Sequence, residues 1–270
     1  MASAVLFSSL TTRHEIKNLS DWKGSTTLSD IFNELLVAIT NKSFLLFFFG
    51  NLTLSVSWGL LNNLTLFINT DFWGLKGSQI SIFLFVYLVT AFIAFALTPR
   101  LVALLDKRKL VIFCVFGVAV ACPFAFISFN LGLTPDKGST GLVLFLCLPL
   151  FFISTLSIMG NMTRDSMIGD IADEVELQSG KRQEGVLYSA VSFVQKVNTA
   201  IGSITGGLVL SYLNYSTDNP TFEQTYSLFF VQGVVGPTLL IIPIFIFYFY
   251  GLDRNKHSEI LIKIKQKSSN

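Results

Sequence analysis

One lysine, Lys196, is the only charged residue deep inside a long apolar segment of this sequence, which runs from Val186 to Leu213. A cation at the centre of a membrane helix costs about 2.5–3.5 kcal/mol on insertion scales, so it is expected to face a partner or a water-filled path. Residues three and four apart share one face of a helix. The polar residues on the face of the lysine are Ser189, Ser192, Thr199 and Ser203. This stripe predicts one wall of a pathway for a substrate or an ion.

Two further apolar segments carry polar stripes of their own. The first stripe consists of Asn51, Ser55, Trp58, Asn62 and Thr65. The second consists of Ser154, Ser157 and Asn161, and it continues to Asp165. Either stripe taken alone is also explained by hydrogen bonds between membrane helices. Three stripes in one chain favour a shared aqueous cavity. Gly202, Gly206 and Gly207 fit either a bending helix or close packing.

The composition places these stripes in a membrane protein. Only 13% of the 270 residues are charged, against about 25% in soluble domains, and 27 residues are phenylalanine. The mean hydropathy is +0.62. A membrane helix needs about 20 apolar residues, and six runs approach or reach that length: Phe44–Ile68, Ile80–Leu97, Leu110–Phe129, Leu142–Met162, Val186–Leu213 and Tyr226–Tyr250. The predicted fold is an all-α membrane protein with six transmembrane helices.

The basic residues predict the orientation of these helices, because lysine and arginine concentrate in cytoplasmic loops. Sixteen of them fall on the side that holds both termini, and only Lys76 and Lys137 fall on the other. We therefore expect both termini to be cytoplasmic, in a multi-pass protein of the cell (inner) membrane. The basic tail fits a plain positive-inside flank better than a lipid contact. Three regions follow: a cytoplasmic segment over 1–42, the bundle over 43–251 and the tail over 252–270.

The N-terminal region is expected to hold two helical pieces. The opening MASAVLFSSL resembles the last turns of a preceding helix. The spacing of the apolar residues from Leu28 to Thr40 predicts an amphipathic helix at the membrane surface, or else a helical linker.

Soluble-enzyme chemistry has little support in the sequence. The three cysteines lie in apolar runs without metal-ligand spacing, and His14 and His257 lie in polar flanks. Phosphate loops, nucleophile elbows and zinc signatures are absent from the sequence. We expect no catalytic residue, metal site, resident cofactor or nucleic-acid partner. The acids between Asp165 and Glu176 precede Lys181 and Arg182, which favours salt bridges or solvation over a metal site. We expect a short amphipathic helix there, ending at Gly180.

Around this acidic loop the sequence resembles a known family. The run GDIADEVELQSGKRQEGVLYSAVSFVQK, over 169–196, is similar to the segment that leads into the eleventh helix of the glycoside–pentoside–hexuronide:cation symporters. These are the melibiose permease-like branch of the major facilitator superfamily. The residues that match in order are Asp170, Asp173, Gly180, Arg182, Glu184, Gly185, Tyr188, Ser189 and Lys196. The tyrosine usual after the second aspartate is replaced by Glu174. The stretch Asn41–Gly74 resembles the start of the seventh helix, and Asp106–Lys109 fits the basic turn after the eighth.

The resemblance covers roughly 28–251 and implies that the six spans correspond to helices seven to twelve, the C-terminal half of a twelve-helix transporter. Such transporters hold the substrate between two six-helix halves near the membrane midplane and alternate access to it. Ser192 and Lys196 would lie nearest the substrate, with further cavity residues at Ser189, Thr199, Asn51, Trp58 and Asn62. A cytoplasmic salt-bridge gate would comprise Asp170, Asp173, Arg182 and Glu184.

The resemblance also bears on coupling. In the family, the carboxylates that bind the coupling cation lie mostly in the N-terminal half, and the six apolar runs here hold no acid at depth. Coupling to Na⁺ or H⁺ would therefore need the missing half, where a carboxylate could pair with Lys196. The lysine could instead form a fixed salt bridge that only holds the halves together.

Three readings of function remain open. The first is a half or fragment of a sugar or glycoside symporter. The second keeps the fold and carries a lysolipid or another amphiphile. The third is a six-helix membrane partner or remnant that transports nothing.

Overall fold

The structure is a computed structural model that describes residues 40–179, 184–216 and 219–268. Within these ranges the chain is helical and contains no strand. The expectations for residues 1–39, including the surface helix from Leu28, lie outside the described residues. The described part belongs to one compact unit that spans 37–270.

The helices follow the apolar runs closely. We number them α1 (Lys42–Phe67), α2 (Gly77–Ile80), α3 (Ile82–Leu105), α4 (Lys107–Ala121), α5 (Phe124–Asn130), α6 (Thr140–Ser179), α7 (Glu184–Tyr212), α8 (Phe222–Phe230), α9 (Gly236–Leu239), α10 (Ile241–Tyr248) and α11 (Arg254–Ser268). Two π-helical turns interrupt this order: π1 (Ile68–Phe72) continues α1, and π2 (Val231–Val235) joins α8 to α9.

Five helical stretches are long and apolar enough to cross a membrane. They are Lys42–Phe72, Gly77–Leu105, Lys107–Asn130, Thr140–Gln178 and Phe222–Tyr248. The described side chains of α7 form an apolar stretch only over Ala200–Tyr212. Five predicted spans thus coincide with candidate membrane helices, and the sixth remains a prediction.

The acidic segment is not a separate loop helix, and that part of the sequence prediction was wrong. Helix α6 runs without a break from Thr140 to Ser179, so the acids lie on a direct extension of the fourth span. At 1.5 Å per residue its 40 residues measure about 60 Å, twice the thickness of the hydrocarbon layer. The extension stays helical because its apolar side is buried, through Met167, Ile168, Ile171 and Val175.

Helices α1 and α6 organise the bundle. Helix α1 packs against α7 and α10, and α6 packs against α3 and α4. The contact between α1 and α7 depends on glycine: a Cβ atom on Gly202 would lie 2.6 Å from the Cα of Gly59. A Cβ on Gly206 would lie 2.9 Å from the Cβ of Asn63, whereas one on Gly207 would meet nothing within 4 Å. Close packing accounts for the first two glycines and leaves the third unexplained.

Two ends of the bundle are distinct. At the tail end, where α11 covers the extension of α6, the apolar core includes Phe47, Val111, Met167, Phe247 and Ile260. At the other end, an aromatic cluster includes Phe72, Trp73, Phe129 and Phe229. The Nζ atom of Lys137 lies 3.9 Å from the centre of the Phe72 ring, and burial lowers the pKa of this lysine.

Candidate functional site

Two neighbouring cavities lie between α1 and α6. The tail-end cavity has a volume of about 160 Å³, and the central cavity about 420 Å³. Trp58, Ser157 and Asn161 line both. Since the two cavities share these walls, they form one groove between α1 and α6.

The groove is lined by uncharged polar side chains along most of its length. Asn51 and Ser55 line the tail-end cavity, and Asn62, Thr65 and Ser154 line the central one. The stripes that the sequence places on the first and fourth spans thus face each other across one space.

The amides of this groove are only partly used by the protein. The Nδ2 atom of Asn51 donates to the carbonyl oxygen of Phe47 at 2.8 Å, and that of Asn62 donates to Trp58 in the same way at 2.8 Å. Each amide keeps a second N–H and an Oδ1 atom that make no hydrogen bond among the described residues. These groups can bind the hydroxyl groups of a ligand, which both donate and accept.

Gln232, which lies in π2, lines the central cavity beside residues of α1 and α6. It was not among the site residues predicted from the sequence. Its Nε2 atom donates to the Oγ1 atom of Thr65 at 2.7 Å and to the carbonyl oxygen of Leu61 at 3.2 Å. The residue lies in π2, and π-turns inside helices frequently mark functional sites. The only signal in the sequence is an isolated glutamine in an otherwise apolar run.

Arg164 also lines the tail-end cavity, although it is one of the sixteen basic residues that the sequence predicts on the side of the termini. It lies inside α6, one turn beyond Gly160, and its guanidinium donates to the Oδ1 atom of Asn161. Asp165 lines the same cavity. The groove therefore ends in charged groups toward the tail and is uncharged toward the centre.

The predicted stripe on α7 lies apart from these cavities. Ser189, Ser192, Lys196 and Ser203 are exposed, and the described linings of both cavities include no residue of α7. Lys196 makes no ion pair with any residue that the structure describes. The side chain of Thr199 lies outside the description. Helix α7 meets α1 through Gly202 and Gly206, so the exposed stripe flanks α1 rather than facing the groove.

A charged cluster lies at the tail end, beyond the groove. Lys107 pairs with Asp170 at 2.6 Å, His257 with Asp173 at 2.9 Å, and Lys256 with Glu174 at 3.0 Å. These pairs join the start of α4 and the start of α11 to the extension of α6. The aspartates predicted for a gate are thus ion-paired, with partners that the sequence analysis did not name.

Of the other predicted gate residues, Arg182 lies outside the described residues, and the side chain of Glu184, the first residue of α7, lies outside the description. His257, which the sequence places in a polar flank, contacts the cluster through Asp173. Glu174, which replaces the tyrosine usual in the resembled family, is an acid paired with Lys256.

A tyrosine hydroxyl is buried beside these acids. Tyr250 is 1% exposed, and neither its hydroxyl nor the Oε2 atom of Glu174 has a hydrogen-bond partner among the described residues. Burial raises the pKa of Tyr250 well above its usual value, and the negative charges of Asp170, Glu174 and Asp106 raise it further. The described residues hold no group of three or more His, Cys, Asp or Glu side chains that could bind a metal ion.

Comparison with known proteins agrees with this architecture. A family model described as "MFS/sugar transport protein" matches residues 1–254. A Synechocystis protein named "Uncharacterized symporter sll1374" is 29% identical over 112 residues, which is 39% of this chain and 21% of that protein. A Bacillus subtilis protein named "Uncharacterized symporter YnaJ" is 23% identical over 103 residues, or 38% of this chain and 22% of that protein.

A third relative, from Escherichia coli, is named "Putative glycoside/cation symporter YagG" and is 38% identical over 53 residues. That match covers 20% of this chain and 12% of the relative. The matched segments therefore span about a fifth or less of the relatives' lengths. The match of the family model over most of the sequence shows that the chain belongs to the MFS/sugar transport family.

Proposed function

We propose that this chain is the C-terminal six-helix half of a sugar/cation symporter, and that the groove between α1 and α6 forms one wall of its substrate path. The observation that carries the proposal is the shared groove, in which polar residues from α1, α6 and π2 surround a space of sugar-sized volume. Trp58 offers a flat apolar surface to a sugar ring, while the neighbouring amides offer hydrogen bonds to its hydroxyls.

The exposed stripe of α7 would face the other half of the transporter. In this proposal α7 is the remaining span, the fifth in chain order; its 29 residues measure about 43 Å, which is enough to cross the bilayer. A lysine exposed to lipid at that depth would be costly. An opposing carboxylate on the other half removes that cost and links the lysine to the coupling cation.

Coupling to Na⁺ or H⁺ in this account depends on the other half. Of the acids that the structure describes, Asp71 lies at the end of the first span and Asp165 lies at the tail end of the groove. Neither lies at the centre of the bundle. The tail end would face the cytoplasm of the cell (inner) membrane, as the distribution of basic residues predicts.

The substrate class rests on family membership and on the name of the Escherichia coli relative, which is a glycoside/cation symporter. The polar lining of the groove favours a sugar or glycoside over a molecule with a long acyl chain. A lysolipid would leave the amides of Asn51 and Asn62 without partners.

The test is uptake by native membrane vesicles, in which the other half is present. We expect labelled glycosides to accumulate under an imposed Na⁺ or H⁺ gradient and this accumulation to be lost in Lys196→Ala. Trp58→Phe, which keeps a ring, should retain more uptake than Trp58→Ala. Normal uptake in well-expressed Lys196→Ala would contradict the role of the lysine. Uptake of lysophospholipid in place of every glycoside would contradict the substrate class, and vesicles that transport neither would overturn the proposal.

A further inference from the structure

Helix α11 has two different faces. One face packs on the extension of α6 and buries Ile260, which is 5% exposed. A second face holds residues at helical spacings of four, seven, eight and eleven from Arg254: Ser258, Leu261, Ile262 and Lys265. Leu261 is 39% exposed and Ile262 is 56% exposed. A surface helix of a soluble protein would not need to present this leucine–isoleucine pair.

The start of α11 lies level with the end of a candidate membrane span. The guanidinium of Arg254 donates to the carbonyl oxygens of Val102 at 2.8 Å and Ala103 at 3.0 Å. The next two residues of α3, Leu104 and Leu105, are exposed, and the basic turn beginning at Lys107 follows. Exposed leucines followed within three residues by lysine and arginine mark the boundary between hydrocarbon and headgroups. Arg254 lies at that boundary.

Helix α11 is fixed to the extension of α6 along most of its length. Near its start, the Nε2 atom of His257 lies 2.9 Å from the Oδ2 atom of Asp173. Near its end, the Nζ atom of Lys267 donates to the carbonyl oxygen of Leu177 at 3.1 Å. These contacts leave the second face of α11, with Leu261 and Ile262, directed away from α6.

We propose that α11, for which the sequence alone favours a plain positive-inside flank, is an interfacial anchor that lays the face of Leu261 and Ile262 into the headgroup layer of an anionic leaflet. The two apolar side chains would enter the boundary, and the excess of lysine and arginine on the helix would attract acidic lipid. This surface continues the lipid-facing surface of α3 at Leu104. The opposite face stays fixed to α6 by the ion pair of Lys256 with Glu174 and the hydrogen bond of His257 with Asp173, so the anchor would hold the tail end at a set depth. This inference rests on the membrane location of the chain and not on its transport activity.

The test uses the full chain in liposomes with a fluorophore on a single introduced cysteine. Leu261→Cys places the label on the proposed lipid face, and Lys263→Cys places it on an exposed position roughly 160° from Leu261 and 100° from Ile262 as the control. A membrane-impermeant maleimide is used, and the unsubstituted chain gives the background from the three native cysteines. Quenching by spin-labelled headgroups is then compared with and without phosphatidylglycerol.

We expect quenching at 261 to exceed that at 263 by at least about twofold, and to increase further with phosphatidylglycerol at low salt. Equal quenching at the two sites would overturn the anchor. A larger quenching signal at 261 that does not change with phosphatidylglycerol or with salt would overturn the preference of the anchor for an anionic surface. Melting of both variants at the temperature of the unsubstituted chain verifies that the label reports on the folded protein.

Discussion

The groove between α1 and α6 and the charged cluster at the tail end differ in how their polar groups are used. In the cluster, Asp170, Asp173 and Glu174 are each matched to a base within 3.0 Å, and the pairs join three helices. In the groove, asparagine side chains bond only to their own helix and face open space. Paired charges hold helices together, whereas neutral groups with free hydrogen-bonding capacity can bind a ligand. We therefore expect the charged cluster to stabilise the bundle and the groove to bind the ligand.

The largest effect is expected from breaking the cluster. Lys107→Ala leaves Asp170 without its closest base, next to Asp173, and should reduce the free energy of unfolding by about 1–3 kcal/mol, because the pair is only partly exposed to water. Lys109→Ala is the matched control, because this lysine is exposed and makes no ion pair that the structure describes. Melting temperatures in detergent compare the two. Equal melting of both variants would mean that the cluster does not stabilise the bundle.

Substitutions in the groove should change ligand affinity rather than the stability of the protein. Asn62→Ala removes a groove amide and is expected to weaken glycoside binding about tenfold, close to 1.4 kcal/mol, with little change in melting. Asn63→Ala is the control: Asn63 also bonds back to its own helix, at 2.7 Å, but it lies against Gly206 of α7 and lines neither cavity. Binding is measured by calorimetry on the complete transporter. Equal loss of affinity in both variants would remove the distinction between the groove and its surroundings.

A smaller effect is expected from Tyr250, the buried hydroxyl within the cluster. Since that hydroxyl has no described partner, Tyr250→Phe should leave stability at neutral pH unchanged or raise it by up to about 1 kcal/mol.

The pH dependence gives a second measurement on the same variant. The folded chain keeps Tyr250 protonated, because its pKa is raised above the usual 10.0, whereas the unfolded chain releases the proton near that value. The stability that depends on the protonation of the Tyr250 hydroxyl is therefore fully present below about pH 10, and it is lost as the pH rises further. Tyr250→Phe should show a shallower fall over this alkaline range. Identical alkaline melting curves would show that the hydroxyl contributes nothing to the pH dependence.

The sequence predicted the helices far better than the contacts between them. Each apolar run coincides with a helix because apolar length is a local property. The helical state of the acidic segment was predicted, but its continuity with α6 was not, since nothing local distinguishes a new helix from an extension. Gln232 and His257 were missed for a related reason. Each acquires its role from a partner on a distant element, Thr65 and Asp173 respectively, and one sequence does not reveal such pairs.

The central claim is that the exposed face of α7 meets a second six-helix half and closes the groove. A photo-crosslinking residue at Ser192 in native membranes tests it most directly, with Leu84 as a control on the exposed surface of α3. The account predicts crosslinks from 192 to another membrane-spanning segment, on the same or a separate polypeptide, and crosslinks from 84 to lipid. Crosslinks to lipid alone from both positions would contradict it.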